Sequence, residues 1–250
     1  YIEWKNIFQG SSLVAGYFPT PAFAWGISEK MWGYRSVEKT ISDFRSLTTA
    51  VDIGVGLKGS FDKNKQYGYF VMIGNGTGTK PENNKYKNYY ASLDAKPVEN
   101  LNIEAYSEYE PAAEDKSKLT FKCVLAYQTP YYTVGTEVIH QIKKNSGINN
   151  SNVNPFGISM YAHGTLIKNK KDKTPKLNAF ARFDMYDPDT NLDSAGFREN
   201  FITAGLDYMP IPSVHFMPNI WINSYTDKSS EKLEKKSDIV ARLTFFYTYK

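Results

Sequence analysis

Segment 20–48 holds the side chains whose types and spacing are best suited to act on a passing solute. Acidic and basic groups that face each other across a narrow opening create a transverse electric field, and such a field orients polar solutes. If the fold places this segment across an opening, five charged residues are candidates for its constriction: Arg35, Glu38, Lys39, Asp43 and Arg45. The same segment contains Trp25, Glu29, Lys30, Trp32 and Tyr34. The alternative interpretation is a solvated helical face whose charges contact nothing.

One stretch has the D-x-D-x-N spacing of a calcium-binding loop. Its oxygen-bearing residues are Asp187, Asp189, Asn191 and Asp193. However, Leu192 stands where the sharp turn needs glycine, and Arg198 stands where a bidentate glutamate is needed. The pattern therefore favours a polar surface loop over a calcium site.

Signals for other chemistry are weaker. The three histidines, His140, His163 and His215, lie on different predicted strands without metal-ligand spacing. The glycine-rich stretch GNGTG at 74–78 lacks the following helix or Lys-Ser/Thr pair of a phosphate-binding loop. No nucleophile, base and orienting acid can be grouped, and Cys123 is the single cysteine. We therefore expect no metal, no cofactor and no enzymatic activity.

Composition narrows the class of protein. The chain has 250 residues, with 19 Tyr, 15 Phe and 4 Trp, and a net charge of +4. This charge is too small to indicate nucleic-acid binding, and no basic run is interleaved with stacking aromatics. No run of about 18 apolar residues is present, so the sequence predicts no transmembrane helix. The first residue is Tyr1, so no start methionine or signal peptide is in view.

Apolar and polar residues alternate with period two along most of the chain. In the final stretch, ARLTFFYTYK, Leu243, Phe245 and Tyr247 share one face, and Arg242 and Thr244 share the other. Such alternation predicts β-strands with one apolar side. About 13 strands are predicted, near 1–8, 12–18, 51–58, 66–74, 87–96, 101–109, 121–128, 131–141, 155–166, 177–185, 200–209, 213–224 and 237–249.

Charged residues are confined to one register of these strands. A charge at the lipid midplane of a membrane barrel costs about 2–4 kcal/mol, so one register must exclude charge there. A soluble sandwich core would favour packed Val, Ile and Leu over so many Ala, Gly and Tyr. We therefore predict an all-β, antiparallel transmembrane β-barrel, with a soluble β-sandwich or propeller as the alternative. The candidate lumen-wall residues are Asp52, Lys58, Glu104, Glu108, Arg182, Asp184 and Arg242.

The links between predicted strands alternate in length. Links 75–86 and 188–199 are long, whereas 97–100 and 210–212 are short. Outer-membrane barrels have this asymmetry, with long external loops and short periplasmic turns. By parity the last strand ends in the periplasm, its apolar face covered by lipid. The expected localisation is the bacterial outer membrane.

Four stretches resemble bacterial outer-membrane porins: SLVAGYFPTP, WGYRSVEKTISD, AVDIGVGLKGSF and YGYFVMIGNGTG. They are most similar to the phosphate-selective porin group and to porin-like barrels of Bacteroidetes-type bacteria. The resemblance implies passive diffusion of ions and small polar solutes, a homotrimer, and contact with the bilayer and lipopolysaccharide. It also implies that barrel-assembly machinery reads the aromatic C-terminal strand, although Lys250 stands where an aromatic residue is more usual. Phosphate selectivity is not carried over, because the wall register holds seven acids against five bases and no basic ladder.

The predicted strand number is odd, whereas bacterial barrels of this kind have an even number. Sixteen-stranded porins fold their third external loop inward after the fifth strand, and segment 20–48 follows the second predicted strand here. We therefore expect one barrel domain over 1–250, with 20–48 in the lumen and three N-terminal strands missing from a 16-stranded protein. Barrels of 12 or 14 strands remain alternatives. The functional alternative is a structural anchor or a plugged component of a secretion or envelope complex.

Overall fold

The computed structural model describes residues 1–24, 27–82, 84–191, 196–229 and 234–249. Trp25, Leu192, Asp193 and Lys250 therefore lie outside the described residues. None of the described helices is long enough and apolar enough to cross a membrane.

Thirteen strands are found among the described residues, as the alternation predicts. They are β1 (Ile2–Phe8), β2 (Ser11–Pro19), β3 (Val51–Ser60), β4 (Tyr67–Gly74), β5 (Asn88–Ala95), β6 (Leu101–Pro111), β7 (Ser117–Gln128), β8 (Tyr132–Lys144), β9 (Phe156–Lys168), β10 (Pro175–Asp187), β11 (Phe197–Ile211), β12 (Val214–Asp227) and β13 (Asp238–Tyr247). Three short helices follow β2: α1 (Pro21–Ala24), α2 (Ile27–Trp32) and α3 (Ile41–Phe44). A single 3-10 turn covers Ile148–Asn150.

All strands belong to one sheet in which each strand pairs with its neighbours in sequence, from β1 to β13. Every pairing is antiparallel; Phe183 of β10, for example, lies opposite Ile202 of β11. The longer links, 20–50, 75–87, 145–155, 188–196 and 228–237, all lie at one end of the sheet. The two-residue links 9–10 and 212–213 lie at the other end. This is an up-and-down meander with one loop-rich end.

Burial across the sheet is inverted relative to a soluble protein. On one face, which we call the inward face, Asp52, Glu104 and Asp184 are fully buried. On the opposite, outward face, Ile73 and Leu243 are 53% and 71% exposed. An apolar surface of this extent requires lipid rather than water around it. The sheet is therefore that of an antiparallel transmembrane β-barrel, which confirms the predicted fold class.

Tyrosine side chains mark both ends of the outward face. Tyr89 and Tyr109 pair at the loop-rich end, with ring centroids 6.5 Å apart. Tyr127 and Tyr132 pair at the other end, with ring centroids 6.2 Å apart. Amphipathic rings at both limits of an apolar band are typical of the interfacial girdles of membrane barrels.

Most buried apolar side chains of the described residues form three clusters, and all three combine segment 20–48 with the inward face. The largest joins Ile27, Met31, Trp32, Tyr34 and Val37 to Val124, Ala126, Tyr161, Phe180 and Met217. The second includes Phe18, Ala22 and Phe70, and the third joins Ile41 and Leu47 to Ile139. Segment 20–48 therefore provides one half of the hydrophobic core, and the inward face of the sheet provides the other.

Candidate functional site

Segment 20–48 is anchored to the inward face by aromatic packing. Trp32 is completely buried, with its ring edge-on to Tyr161 at 5.9 Å and to Phe180 at 6.1 Å. Tyr34 stacks on Phe180 with ring centroids 4.2 Å apart. Between Trp32 and Tyr34, Gly33 adopts a φ of +72° and closes α2, as a left-handed C-terminal residue commonly does. This turn lets both aromatic side chains face the sheet.

The backbone carbonyls of the segment are satisfied by side chains of the inward face. Lys122 Nζ donates to Ala22 O at 2.8 Å. Gln141 Nε2 donates to Leu47 O at 2.6 Å. An irregular segment packed away from water needs such donors, because an unpaired buried carbonyl is costly.

Three more donors of the inward face repeat this arrangement. Arg242 Nη2 donates to Val37 O at 3.1 Å, and Arg182 Nη1 donates to Lys39 O. His163 Nε2 lies 2.9 Å from Met31 O and must be the donor, since a carbonyl only accepts. Basic side chains of the wall therefore fix the path of segment 20–48.

Two of these cations also pair with carboxylates of the wall. Lys122 Nζ lies 2.7 Å from Glu104 Oε1, and neither side chain is exposed. Arg182 pairs with Asp184, and both are buried. Buried charges require such compensation, because an unpaired one carries the full cost of desolvation. The charges of Lys122 and Arg182 are therefore compensated by adjacent carboxylates of the wall.

Among the constriction candidates, Arg35 and Lys39 have side chains that are 50% exposed. Arg35 Nη1 forms ion pairs with Glu29 and, at 2.7 Å, with Asp43 Oδ2. Lys39 Nζ lies 3.5 Å from Asp43 Oδ1. Burial raises the pKa of Glu29, an effect that the neighbouring Arg35 opposes. Two half-exposed cations of the segment are therefore paired with largely buried carboxylates of the same segment.

The remaining constriction candidates, Glu38 and Arg45, contact the wall instead. Glu38 Oε2 accepts a hydrogen bond from Trp221 Nε1 at 3.1 Å. Arg45 forms an ion pair with Glu199, and both side chains are largely buried. Neither charge is directed at open space, although the sequence alone grouped both with Arg35 and Lys39.

The lumen-wall candidates are mostly buried. Asp52 Oδ2 accepts from Tyr90 Oη at 2.8 Å and from Gly76 N at 2.7 Å. Glu108 accepts from Asn88 Nδ2 and Tyr106 Oη, both at 3.1 Å. The other members of this set lie as follows: Glu104, Arg182 and Asp184 are buried, Lys58 pairs with Glu3 at 3.2 Å, and the Arg242 side chain is 33% exposed.

Several polar residues that hold the segment or the wall carboxylates were not singled out from the sequence. They are Asn88, Tyr90, Tyr106, Gln141 and Trp221. All occupy the charged register, so register was the one signal that could have identified them. Most of their partners could not be deduced, since every one of these contacts except that of Tyr106 with Glu108 joins residues on different elements.

The stretch with calcium-loop spacing is occupied by cations of the chain itself. Asp187 Oδ1 lies 2.6 Å from Lys228 Nζ, and Asp187 Oδ2 lies 3.5 Å from Arg198 Nη2. Asp189 Oδ1 accepts from Asn154 N at 3.0 Å. Within the described ranges, no three His, Cys, Asp or Glu side chains are grouped to hold a metal ion. Asp187 thus acts as an ion-pair partner here.

Fold and inward face together define a bacterial outer-membrane β-barrel protein. Its sheet resembles a solved structure of OmpT, an in-vitro folded outer membrane protein of Vibrio cholerae in a trimer form, with a TM-score of 0.59. Sequence identity is 13%, and the match covers 95% of this chain and 75% of that chain. The chain matches no protein-family model and no curated protein. The structural likeness and the outward apolar band place the chain in the bacterial outer membrane.

The sequence led us to exclude enzymatic activity, and this expectation was wrong. The structural match overturns it, because a likeness at 13% identity reports an outer-membrane barrel fold, and a fold does not determine activity. The absence of a recognisable catalytic group in the sequence is not sufficient to exclude enzymatic activity. The same match does not single out the phosphate-selective porin group.

Proposed function

We propose that the protein is a porin: a water-filled outer-membrane barrel through which ions and small polar solutes diffuse, narrowed by segment 20–48. The observation that carries this proposal is the docking of that segment on the charged face of the sheet. Wall side chains hold its carbonyls, while Arg35 and Lys39 stay half-exposed on its far side. A segment fixed in this way narrows the lumen without depending on the outer loops.

The charges of the segment support a constriction that discriminates between ions. Arg35 and Lys39 lie beside Glu29 and Asp43, so half-exposed positive groups are adjacent to largely buried negative groups. Fixed charges of opposite sign act on a permeating solute more strongly in a narrow passage than in bulk water. Phosphate selectivity is not part of the proposal, because wall cations such as Lys122 and Arg182 are engaged with carboxylates and carbonyls.

The proposal includes assembly and partners. A single barrel domain over 1–250 would sit in a bilayer with lipopolysaccharide, with segment 20–48 in its lumen. We infer a homotrimer, with support from the trimer form of the V. cholerae structure. We also infer that the barrel-assembly machinery reads β13, on which Leu243, Phe245 and Tyr247 are exposed.

A plugged barrel that acts as an anchor is the second candidate function. It is favoured by the extent of the packing between segment 20–48 and the sheet, where Trp32, Ile41 and Ile139 are fully buried. A segment packed this tightly would suit a closed lumen as well as a narrowed one.

Single-channel recording in planar bilayers separates the two candidates. We expect stepwise conductance from the purified protein, and a several-fold larger conductance from a variant in which residues 33–39 are replaced by a short glycine linker. Heat-modifiable gel migration checks that both barrels have assembled. An assembled wild-type protein without conductance, together with a conducting linker variant, would support the plugged anchor instead. Equal conductance from both proteins would place segment 20–48 outside the permeation path.

A further inference from the structure

A cavity of about 650 Å³ lies between residues 33–36 and strands β9 to β13. Its wall includes Asn178 near the start of β10, Asp207 near the end of β11, His215 at the start of β12 and Phe246 near the end of β13. These positions lie toward the end of the sheet that carries the short links. The volume falls in the range of about 300–1,000 Å³ that is typical of small-molecule sites.

The polar groups of this cavity are oriented before any ligand binds. His215 Nδ1 lies 2.9 and 3.0 Å from the two carboxylate oxygens of Asp207. A carboxylate accepts, so Nδ1 donates, and this leaves Nε2 as the ring nitrogen that can meet a ligand. Tyr34 Oη donates to Asp207 Oδ2 at 3.4 Å and accepts from Asn178 Nδ2 at 3.4 Å. The ring orientation of His215 is thereby fixed.

One acceptor in this cavity has no partner within the described part of the chain. Asn178 Oδ1 is shielded from solvent yet receives no hydrogen bond there. Arg35 and Ser36 line the same cavity and carry N–H and O–H donors. The site therefore combines an acceptor, Asn178 Oδ1, with donors on the segment and with the second ring nitrogen of His215. A hydroxyl group, which donates and accepts at once, is the ligand group that can use both.

An aromatic ring completes the cavity. Phe246 occupies the inward register of β13, opposite His215, with ring centroids 5.7 Å apart. It is 42% exposed, although it does not face the lipid. The ring offers a flat apolar surface for the C–H face of a cyclic polyol, and such a contact would remove it from water.

The charge balance of the cavity selects against ionic ligands. Asp207 contributes a buried carboxylate, which repels anions. Arg35 is the cation of the cavity wall, and its charge is shared by Glu29 and Asp43. Because Asp207 disfavours anions and Arg35 is already paired, a neutral ligand suits the site better than phosphate or a carboxylate.

We propose that this cavity is a binding subsite for neutral, polyhydroxylated solutes of monosaccharide to disaccharide size. The inference rests on the porin function proposed above and names a class of solute for it. The subsite lies beside the exposed side of segment 20–48, so a bound polyol would occupy the path next to Arg35. Sugars would then interrupt the ion current while they are bound.

Two measurements test this proposal with the whole chain. Isothermal titration calorimetry of the protein in detergent micelles uses maltose, glucuronate and inorganic phosphate as probes. We expect measurable binding of maltose and weaker binding of both anions.

Phe246→Ala should weaken maltose binding about tenfold, because it removes the aromatic surface. Phe245→Ala is the matched control, since Phe245 is a neighbour of the same type that is exposed on the lipid-facing side. Asn178→Ala should also weaken binding, and it provides a second variant if Phe246→Ala assembles poorly.

Equal maltose affinity in the Phe245 and Phe246 variants would overturn the subsite, as would tighter binding of phosphate or glucuronate than of maltose. Maltose block of single-channel current distinguishes this failure from failure of the porin function. A conducting protein that maltose neither binds nor blocks retains the porin function and loses the subsite. A protein that binds maltose but conducts no ions loses the porin function.

Discussion

Lys122→Met tests whether a buried ion pair holds segment 20–48 in place. At the 2.7 Å separation between Lys122 Nζ and Glu104 Oε1, an effective dielectric constant of about 20 gives roughly 6 kcal/mol of attraction. Desolvation of both groups offsets much of this gain, and removal of one partner of such a pair typically costs about 3–5 kcal/mol. The substitution also leaves the Ala22 carbonyl without its donor, at about 1–3 kcal/mol. We therefore expect a total loss of about 4–8 kcal/mol in the free energy of unfolding.

Urea unfolding of the protein in lipid vesicles, followed by tryptophan fluorescence, measures this loss. The control is the double variant Lys122→Met with Glu104→Gln, in which no charge is left unpaired. It should recover about 2–3 kcal/mol relative to Lys122→Met alone, since the uncompensated carboxylate dominates the cost. Strictly additive losses in the two single variants and the double variant would refute the coupling between these side chains.

Three further predictions concern the two faces of the sheet and the exposed charges. Leu243→Arg should prevent membrane assembly, because a charge on the lipid face costs about 2–4 kcal/mol. Thr244→Arg, on the other face of the same strand, should assemble. Heat-modifiable gel migration compares the two variants, and equal assembly would contradict the assigned register. Arg35→Glu with Lys39→Glu changes the local charge by four units, each worth roughly 0.5 kcal/mol on an ion about 8 Å away in water. The cation-to-anion permeability ratio obtained from reversal potentials should therefore rise several-fold. An unchanged ratio would remove both residues from the permeation path. Because burial raises the pKa of Glu29, its negative charge should be lost at a higher pH than that of an ordinary glutamate as the solution is acidified, which increases anion preference. Glu29→Gln should abolish this pH dependence in the same recordings, and persistence of the dependence would assign it to another group.

The strands were predictable from the sequence because each must present an uncharged side to lipid. The predicted strand near 155–166 corresponds to β9 (Phe156–Lys168), and the strand near 213–224 corresponds to β12 (Val214–Asp227). Lipid imposes this constraint along the full length of a strand, so period-two alternation stays visible in almost every one. The short helices within 20–48 obey no comparable rule.

The candidate site was only partly predictable, because the sequence reveals which side chains are charged but not what they contact. Arg35 and Arg45 are equivalent in the sequence pattern, yet one is half-exposed and the other pairs with Glu199. The same limit applies to the wall, where Lys122 and Arg182 support backbone carbonyls of segment 20–48. Such contacts depend on how the sheet curves around the segment. Local alternation carries no information about that curvature.

The long-range hydrogen bonds of segment 20–48 have a consequence for the order of folding. The bond between Arg242 and Val37 joins residues 205 positions apart, and the bond between Trp221 and Glu38 joins residues 183 positions apart. Contacts between distant parts of a chain form late, since they wait for the intervening structure. The segment precedes most of the described strands in the chain, whereas its partners on β12 and β13 lie far downstream. Its final docking therefore waits until β12 and β13 have joined the sheet, and until then its carbonyls must be hydrated by water.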